Sequence, residues 1–230
     1  LRIGIIGNIG VGKSTLAEVL LRLTLGGKGK IQWFDSGSIE EAELRRRVQY
    51  VFQDCERAMA WEVGTLEETM LLPLNNTDRL STEVLETMKQ VLGSLGLLTH
   101  KGKNVQHLSG GQLRRAYLAR SLLTLLSGVN SNEPVLLILD EVTVGLDLIA
   151  QHELLKLLRR YTTEDHQNMS LLTISHDPIV IRYLCNEVKV LYKNSDRTEA
   201  ATIVEELEGE QIWKGPYRHE HTKLLMGSLH

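Results

Sequence analysis

Apolar and polar positions fall into blocks that mark out strands, turns and helices in regular succession. Residues 1–6 (LRIGII) form a short apolar run suited to a buried strand. A glycine-rich turn at 7–12 follows, and residues 13–25 then place Leu16, Val19, Leu20 and Leu23 on one helical face. Gly26, Gly27 and Gly29 close this unit. Residues 31–34 predict a second strand before a polar turn at 35–38, and a helix at 39–47 leads to a short strand at 48–52. From Asp54 to about Leu125 helical stretches take over, at 65–72, 81–95 and 110–126, punctuated by Asn75, Asn76, Gly93, Gly96 and Gly102. A polar loop at 128–134 precedes the continuous apolar run 135–139, a strand that a parallel sheet would bury on both faces. An amphipathic helix at 148–161, a solvated loop at 162–168, a buried strand at 171–174 and a helix at 178–184 come next. Residues 188–192 and 201–204 predict a hairpin, and the stretch beyond Gly209 a polar tail.

This order predicts an α/β fold with a mainly parallel sheet and an inserted helical subdomain. The core takes residues 1–53 and 127–208, the helical subdomain 54–126 and the tail 209–230. Composition narrows the classes. Hydrophobic residues at 42% and charged residues at 24% exclude a disordered chain. The net charge of −3 offers no basic field to hold nucleic acid. The longest aliphatic run, 135–139, is far short of the roughly 20 residues of a membrane span. Cys55 and Cys185 make neither a disulfide framework nor a zinc pattern, so a reducing, cytosolic setting is expected. No signal peptide is expected, because the first apolar stretch runs straight into glycines.

The turn carries the first chemistry. Gly7, Asn8, Ile9, Gly10, Val11, Gly12, Lys13 and Ser14 fit G-x-x-x-x-G-K-[ST] in full, between strand and helix. Backbone N–H groups of such a turn point inward at phosphate, and glycine permits the close approach. Lys13 reaches the β- and γ-phosphates and Ser14 ligates Mg2+, with Thr15 next to it on the same helix end. The motif alone says only nucleoside triphosphate. A guanine-reading N-K-x-D is missing: the nearest string, Lys193-Asn194-Ser195-Asp196, has the wrong order. The strand 135–139 ends in Asp140 and Glu141. Asp140 is placed to hold the Mg2+ shell, and Glu141 to polarise an attacking water. A third element, Leu108-Ser109-Gly110-Gly111-Gln112, opens a helix, with Ser109 as a natural cap and two glycines exposing N–H groups to an anion.

LSGGQ between the phosphate turn and LLILDE resembles the ATP-binding cassette (ABC) ATPases. The resemblance spans about residues 1–225. It implies a P-loop NTPase, RecA-like core and gives roles to further residues. Gln53, after VQYVF, resembles the Q-loop glutamine that touches Mg2+ and the attacking water. Asp147, in Gly145-Leu146-Asp147, resembles the D-loop acid. His176, in TISHD, resembles the switch histidine at the γ-phosphate. As the family implies, ATP lies between the P-loop of one subunit and the signature residues 108–112 of a second, in a homo- or heterodimer. Stretches such as LRRRVQYVFQD and LSGGQLRRAYLAR look like the oligopeptide, dipeptide and nickel importer ATPases. That branch implies uptake of a peptide- or metal-type solute through transmembrane permeases, served indirectly by a solute-binding protein. It places the chain peripherally on the cytoplasmic face of the membrane. A soluble, non-transport subunit of an enzyme complex, of the carbon–phosphorus bond cleavage type, stays open as the alternative. Neighbouring genes for permeases would separate the two.

Departures from the family pattern set further expectations. A D-loop serine is replaced in Val142-Thr143-Val144-Gly145-Leu146-Asp147, and Cys55 stands where a proline is usual. Two distant cysteines cannot bind the iron–sulfur cluster of some peptide importers, so none is expected. Only six residues precede the turn. Since Trp33, Trp61 and Trp213 are not at that position, the family's first β strands and its adenine-stacking aromatic are expected to lie in a missing upstream segment, the alternative being a chain that holds nucleotide chiefly through its phosphates and Mg2+. Arg45, Arg46, Arg47, Arg114 and Arg115 are expected on solvated helix faces, and His219 and His221 in a polar tail.

Overall fold

The computed structural model describes residues 1–24, 29–34, 39–74, 81–127, 133–165, 168–194 and 200–227. The expected turn at 35–38, Leu25, Gly26 and Gly27, Asn75 and Asn76, and most of the loop at 128–134 lie outside the described residues. In chain order the first elements are β1 (Arg2–Gly7), α1 (Lys13–Leu20), α2 (Glu41–Arg47), β2 (Val48–Val51), α3 (Cys55–Ala60), α4 (Leu66–Leu71), α5 (Thr82–Ser94) and α6 (Gly110–Ser127). They continue with β3 (Val135–Asp140), α7 (Leu148–Arg160), β4 (Met169–Ile174), α8 (Pro178–Leu184), β5 (Glu187–Tyr192), β6 (Thr202–Glu208), α9 (Gln211–Lys214) and α10 (Glu220–Met226). Two compact units result. One comprises Leu1–Ser38, Ile138–Glu141 and Leu158–His230, the other Ile39–Leu137 and Val142–Leu157.

The strands follow the order β2-β3-β4-β1-β5-β6. In the first unit β1 is parallel to both neighbours: Ile3 pairs with Leu172 of β4 and with Glu187 of β5. β6 returns antiparallel, Val188 opposite Leu207, as the hairpin pattern predicts. The expected α/β fold with a mainly parallel sheet is therefore present. Central strands of this kind are buried on both faces, which explains why the last four residues of β3 and of β4 are all buried. Strands β1 and β5 approach closely at Gly7, where a Cβ would lie 2.5 Å from the Leu191 carbonyl oxygen of β5.

The second unit is largely helical, and its helix starts are written into the sequence. Thr65 and Glu68 form a capping box on α4: the Thr65 N–H donates to Glu68 Oε2 at 2.7 Å and the Glu68 N–H to Thr65 Oγ1 at 3.3 Å. Ser81 caps α5 through the Val84 N–H. Met59, Leu66, Met70, Met88, Leu92 and Leu122 are fully buried within this unit.

Four expectations need correction. Residues 31–34 form no strand; Trp33 makes only an isolated bridge, and Phe34 has φ +52, a left-handed backbone that ends extended structure. α1 stops at Leu20 rather than running to 25, with Arg22 at φ +57. The loop expected from residue 162 starts later, because a π turn over Tyr161–Asp165 prolongs α7. The stretch beyond Gly209 is no polar tail: α9 and α10 bury Ile212, His221, Thr222 and Met226. His221 is 7% exposed and packs against the Tyr192 ring at 4.9 Å, and His219 packs on the same ring at 5.5 Å.

Candidate functional site

The first unit gathers the phosphate turn, Asp140, Glu141 and His176. β1 delivers Gly7 at its carboxyl end, the loop bends through Gly10 (φ +79) and Gly12 (φ +102), and α1 begins at Lys13. Only glycine adopts these two conformations without strain. Gly12 caps α1 without a side-chain hydrogen bond, and the first turn holds no acid, so the positive helix end is left open to an anion. Lys13 is 7% exposed, and its Nζ donates to the carbonyl oxygens of Gly7 at 2.7 Å and Asn8 at 3.1 Å. Burial lowers the Lys13 pKa, and the carboxylates of Glu141 and then Asp140 oppose that shift. Ser14 and Thr15 are exposed on the first turn.

Asp140 ends β3 and is 1% exposed. Glu141 follows with φ +52, and its N–H donates to the Ile174 carbonyl oxygen at 3.0 Å. This backbone turns the side chain towards the segment after β4. There the His176 N–H donates to Glu141 Oε1 at 3.0 Å, and His176 Nδ1 stands 2.8 Å from the same oxygen. The Ser175 hydroxyl reaches Glu141 Oε2 at 3.4 Å. Asp177 then caps α8 through the Ile179 N–H at 2.8 Å, with Pro178 in the first turn, which fixes where the segment leaves the sheet.

The second unit holds the remaining predicted residues. Ser109 and Gln112 cap α6 reciprocally: the Ser109 N–H donates to Gln112 Oε1 at 2.9 Å and the Gln112 N–H to Ser109 Oγ at 3.3 Å. Leu108 is buried beneath them, while Gly110 is exposed and Gly111 half-buried at the helix start. Asp147 caps α7, its Oδ1 accepting from the Ile149 and Ala150 N–H groups at 3.0 and 2.9 Å. Gln53 is exposed just beyond β2.

Arg114 is not on a solvated face. Its guanidinium donates to the Gln53 carbonyl oxygen at 3.2 Å, to Glu56 Oε2 at 3.1 Å and to the Val144 carbonyl oxygen. One side chain of the signature helix thus holds the segments that carry Gln53 and Asp147. Arg47 is also buried, donating to the Pro134 carbonyl oxygen at 3.1 Å and to Glu43 at 2.8 Å. No sequence signal separated these arginines from their exposed neighbours, because their partners lie up to 87 positions away.

The residues present fit a nucleoside triphosphate with Mg2+: a buried cation, an uncapped helix start, two left-handed glycines and a buried strand-end carboxylate. The ABC transporter family profile matches residues 1–144. The chain belongs to this family. Among ABC transporter relatives, it is 31% identical over 225 residues to the methionine import ATP-binding protein MetN of Staphylococcus haemolyticus, covering 96% of this chain and 60% of that protein. It is 29% identical over 235 residues to the oligopeptide transport ATP-binding protein OppF of Salmonella typhimurium, covering 99% and 65%. The chain thus spans less than two thirds of the length of either relative. The solved structure of cbiO1 from Clostridium perfringens, part of the ABC transporter complex cbiONQ, superposes with a TM-score of 0.65 at 27% identity, covering 82% of this chain and 72% of that one. No helix among the described residues is long and apolar enough to cross a membrane.

Proposed function

We propose that the chain is the ATP-binding and ATP-hydrolysing subunit of an ABC importer, driving uptake of a peptide- or metal-type solute through partner permeases. The observation that carries this is the pairing of Glu141 with His176 in the same unit as the buried Lys13 and its phosphate turn. The names of MetN and OppF support the transport reading and its amino-acid or peptide side.

In this reading the backbone from Gly7 to Thr15 cradles the phosphates, and Lys13 releases the Gly7 and Asn8 carbonyls to face the β- and γ-phosphates. Ser14, Gln53 and Asp140 hold Mg2+. The bound ATP and Mg2+ supply the transferable phosphoryl group and its counter-charge. Glu141 accepts the proton of the attacking water, and His176 orients the Glu141 carboxylate and contacts the γ-phosphate. Leu108 to Gln112 and Asp147 serve the site of a second subunit, which Gly110 and Gly111 favour by exposing N–H groups. Residues 54–126 form the helical subdomain that moves on closure. Trp61 and Val63, 86% and 81% exposed on that segment, suit a permease surface. The chain sits peripherally on the cytoplasmic face of the membrane. No iron–sulfur cluster enters the reading, because the chain's two cysteines, Cys55 and Cys185, are too few and too far apart in sequence to hold one.

Glu141→Gln tests the assignment. The amide keeps the shape and removes the base, so ATP should still bind while turnover falls about 10²- to 10⁴-fold. ATP should then trap a dimer visible by size-exclusion chromatography. Undiminished turnover would place the base elsewhere.

A further inference from the structure

The first unit contains a second cavity, about 380 Å3 in volume, whose walls include Arg2, Arg159 and Arg182. It opens at the amino end of β1, whereas the phosphate turn leaves the carboxyl end. Five residue steps at roughly 3.3 Å place the two about 17 Å apart along the strand.

The charges on its wall do not balance. Glu210 is the one acid lining it among the described residues, and that carboxylate is 85% exposed and pairs with Lys214 at 3.4 Å. Cys185 also lines it, but burial pushes that thiol up to about 12, so it is neutral near pH 7 and supplies no counter-charge. Arg2 Nε is buried without a hydrogen-bond partner among the described residues. Burial, and after it the nearby Arg159 charge, lower the Arg2 pKa. Arg159 donates to the Tyr183 carbonyl oxygen at 3.3 Å and lies over the Tyr183 ring. Arg182 is fixed by the carbonyl oxygens of Ile212 and Met226 and by the Tyr217 hydroxyl, all neutral acceptors. Buried donors without acceptors are rare in folded proteins and call for an occupant. Guanidinium forks match the paired oxygens of a phosphate group, and the exposed Trp213 ring forms an apolar rim.

We propose that this cavity is a second anion site, which takes a phosphate monoester independently of the nucleotide at the P-loop. Inorganic phosphate is the probe. Calorimetric titration of the whole chain, with Mg2+ and a non-hydrolysable ATP analogue filling the P-loop, should show one saturable phosphate per chain. Arg159→Gln should weaken that binding about tenfold or more, and Arg159→Lys less, because it keeps the charge and loses the fork. Arg2→Gln gives an independent reading should Arg159→Gln melt early in a thermal scan. Analogue binding should stay unchanged in these variants. That separates failure here from failure of the ATPase reading, in which the analogue itself would not bind. Sedimentation with phosphatidylcholine vesicles, with and without phosphatidic acid, distinguishes the source. Arginine-dependent binding to phosphatidic acid assigns a lipid headgroup, and phosphate binding without it assigns a soluble phosphate ester. If neither phosphate nor phosphatidic acid binds, or if both arginine variants bind as wild type does, the proposal is overturned.

Discussion

His176 Nδ1 lies 2.8 Å from Glu141 Oε1, an oxygen that also accepts the His176 backbone N–H at 3.0 Å. A carboxylate only accepts, so Nδ1 donates to it, and the other ring nitrogen, Nε2, can bond a phosphate oxygen only when it too carries a proton. In the proposed reaction the histidine would orient the Glu141 carboxylate with one side of its ring and face the phosphate with the other. His176→Ala should keep the backbone bond, free the carboxylate to rotate, and lower kcat about tenfold to a hundredfold with little change in ATP affinity. Steady-state kinetics beside equilibrium ATP binding will decide; unchanged kcat would deny the pair a role in the reaction.

The proposed composite site across two subunits predicts complementation. Lys13→Ala disables the phosphate side of a subunit and Gly110→Asp its signature side. The Gly110 position has open space for a Cβ, so aspartate fits there sterically while opposing phosphate with its charge. Mixed dimers of the two variants should retain about one working site out of two. Both homodimers should be inactive. Activity absent from the mixture, with both chains folded, would refute sharing in trans.

Gly7→Ala tests the packing that anchors the turn. The added methyl would stand 2.5 Å from the Leu191 carbonyl oxygen and 3.2 Å from Val11 Cγ1, so β1 must move away from β5. A cost of about 1–3 kcal/mol follows from overpacking. For a chain of this size each kcal/mol shifts Tm by about 2–4 °C. Calorimetry should show that drop, and an unshifted Tm would mean that the strands separate freely.

The two thiols give a pH signature. Burial is the leading cause in both, raising Cys55 to about 11 and Cys185 to about 12. Unfolded thiols ionise near ~8.5. Between these limits the unfolded chain binds fewer protons, so stability contributed by the neutral thiols is present below about pH 8.5 and lost as pH rises to 11–12. Denaturant melts of Cys55→Ala with Cys185→Ala should fall less steeply across that window than wild type. Parallel slopes would contradict the burial of both groups.

The turn, the strand-end acids and the caps were legible because each depends on residues a few positions apart. Glycine spacing at Gly7, Gly10 and Gly12 is a backbone requirement, and an apolar run ending in Asp140 and Glu141 marks a buried strand reaching its rim. Ser109 and Gln112 carry a capping box in four residues. The tethered arginines were not legible. Arg47, Arg114 and Arg182 are held by carbonyl oxygens of Pro134, Val144 and Met226, and a main-chain acceptor leaves no trace in residue type. His221 was assigned to a tail for the same reason: the charged helix α10 around it conceals that Tyr192 covers its ring. The apolar run at 31–34 misled in the other direction, since nothing in its composition announces the left-handed Phe34.

The placement of β1 between β4 and β5 has a consequence during synthesis. Arg2 pairs with Leu171, 171 − 2 = 169 positions later, and Gly7 with Leu191, 191 − 7 = 184 positions later. A ribosome adding about 5–20 residues per second needs roughly 8–37 s to cover those intervals. Throughout that time the apolar segment Ile3 to Ile6 has neither of its neighbouring strands, while the helices of the other unit are already being made. Nascent chains of this protein thus expose the strand that later carries the phosphate turn to chaperones and to aggregation, and slow codons between Gly7 and Tyr192 would prolong that exposure.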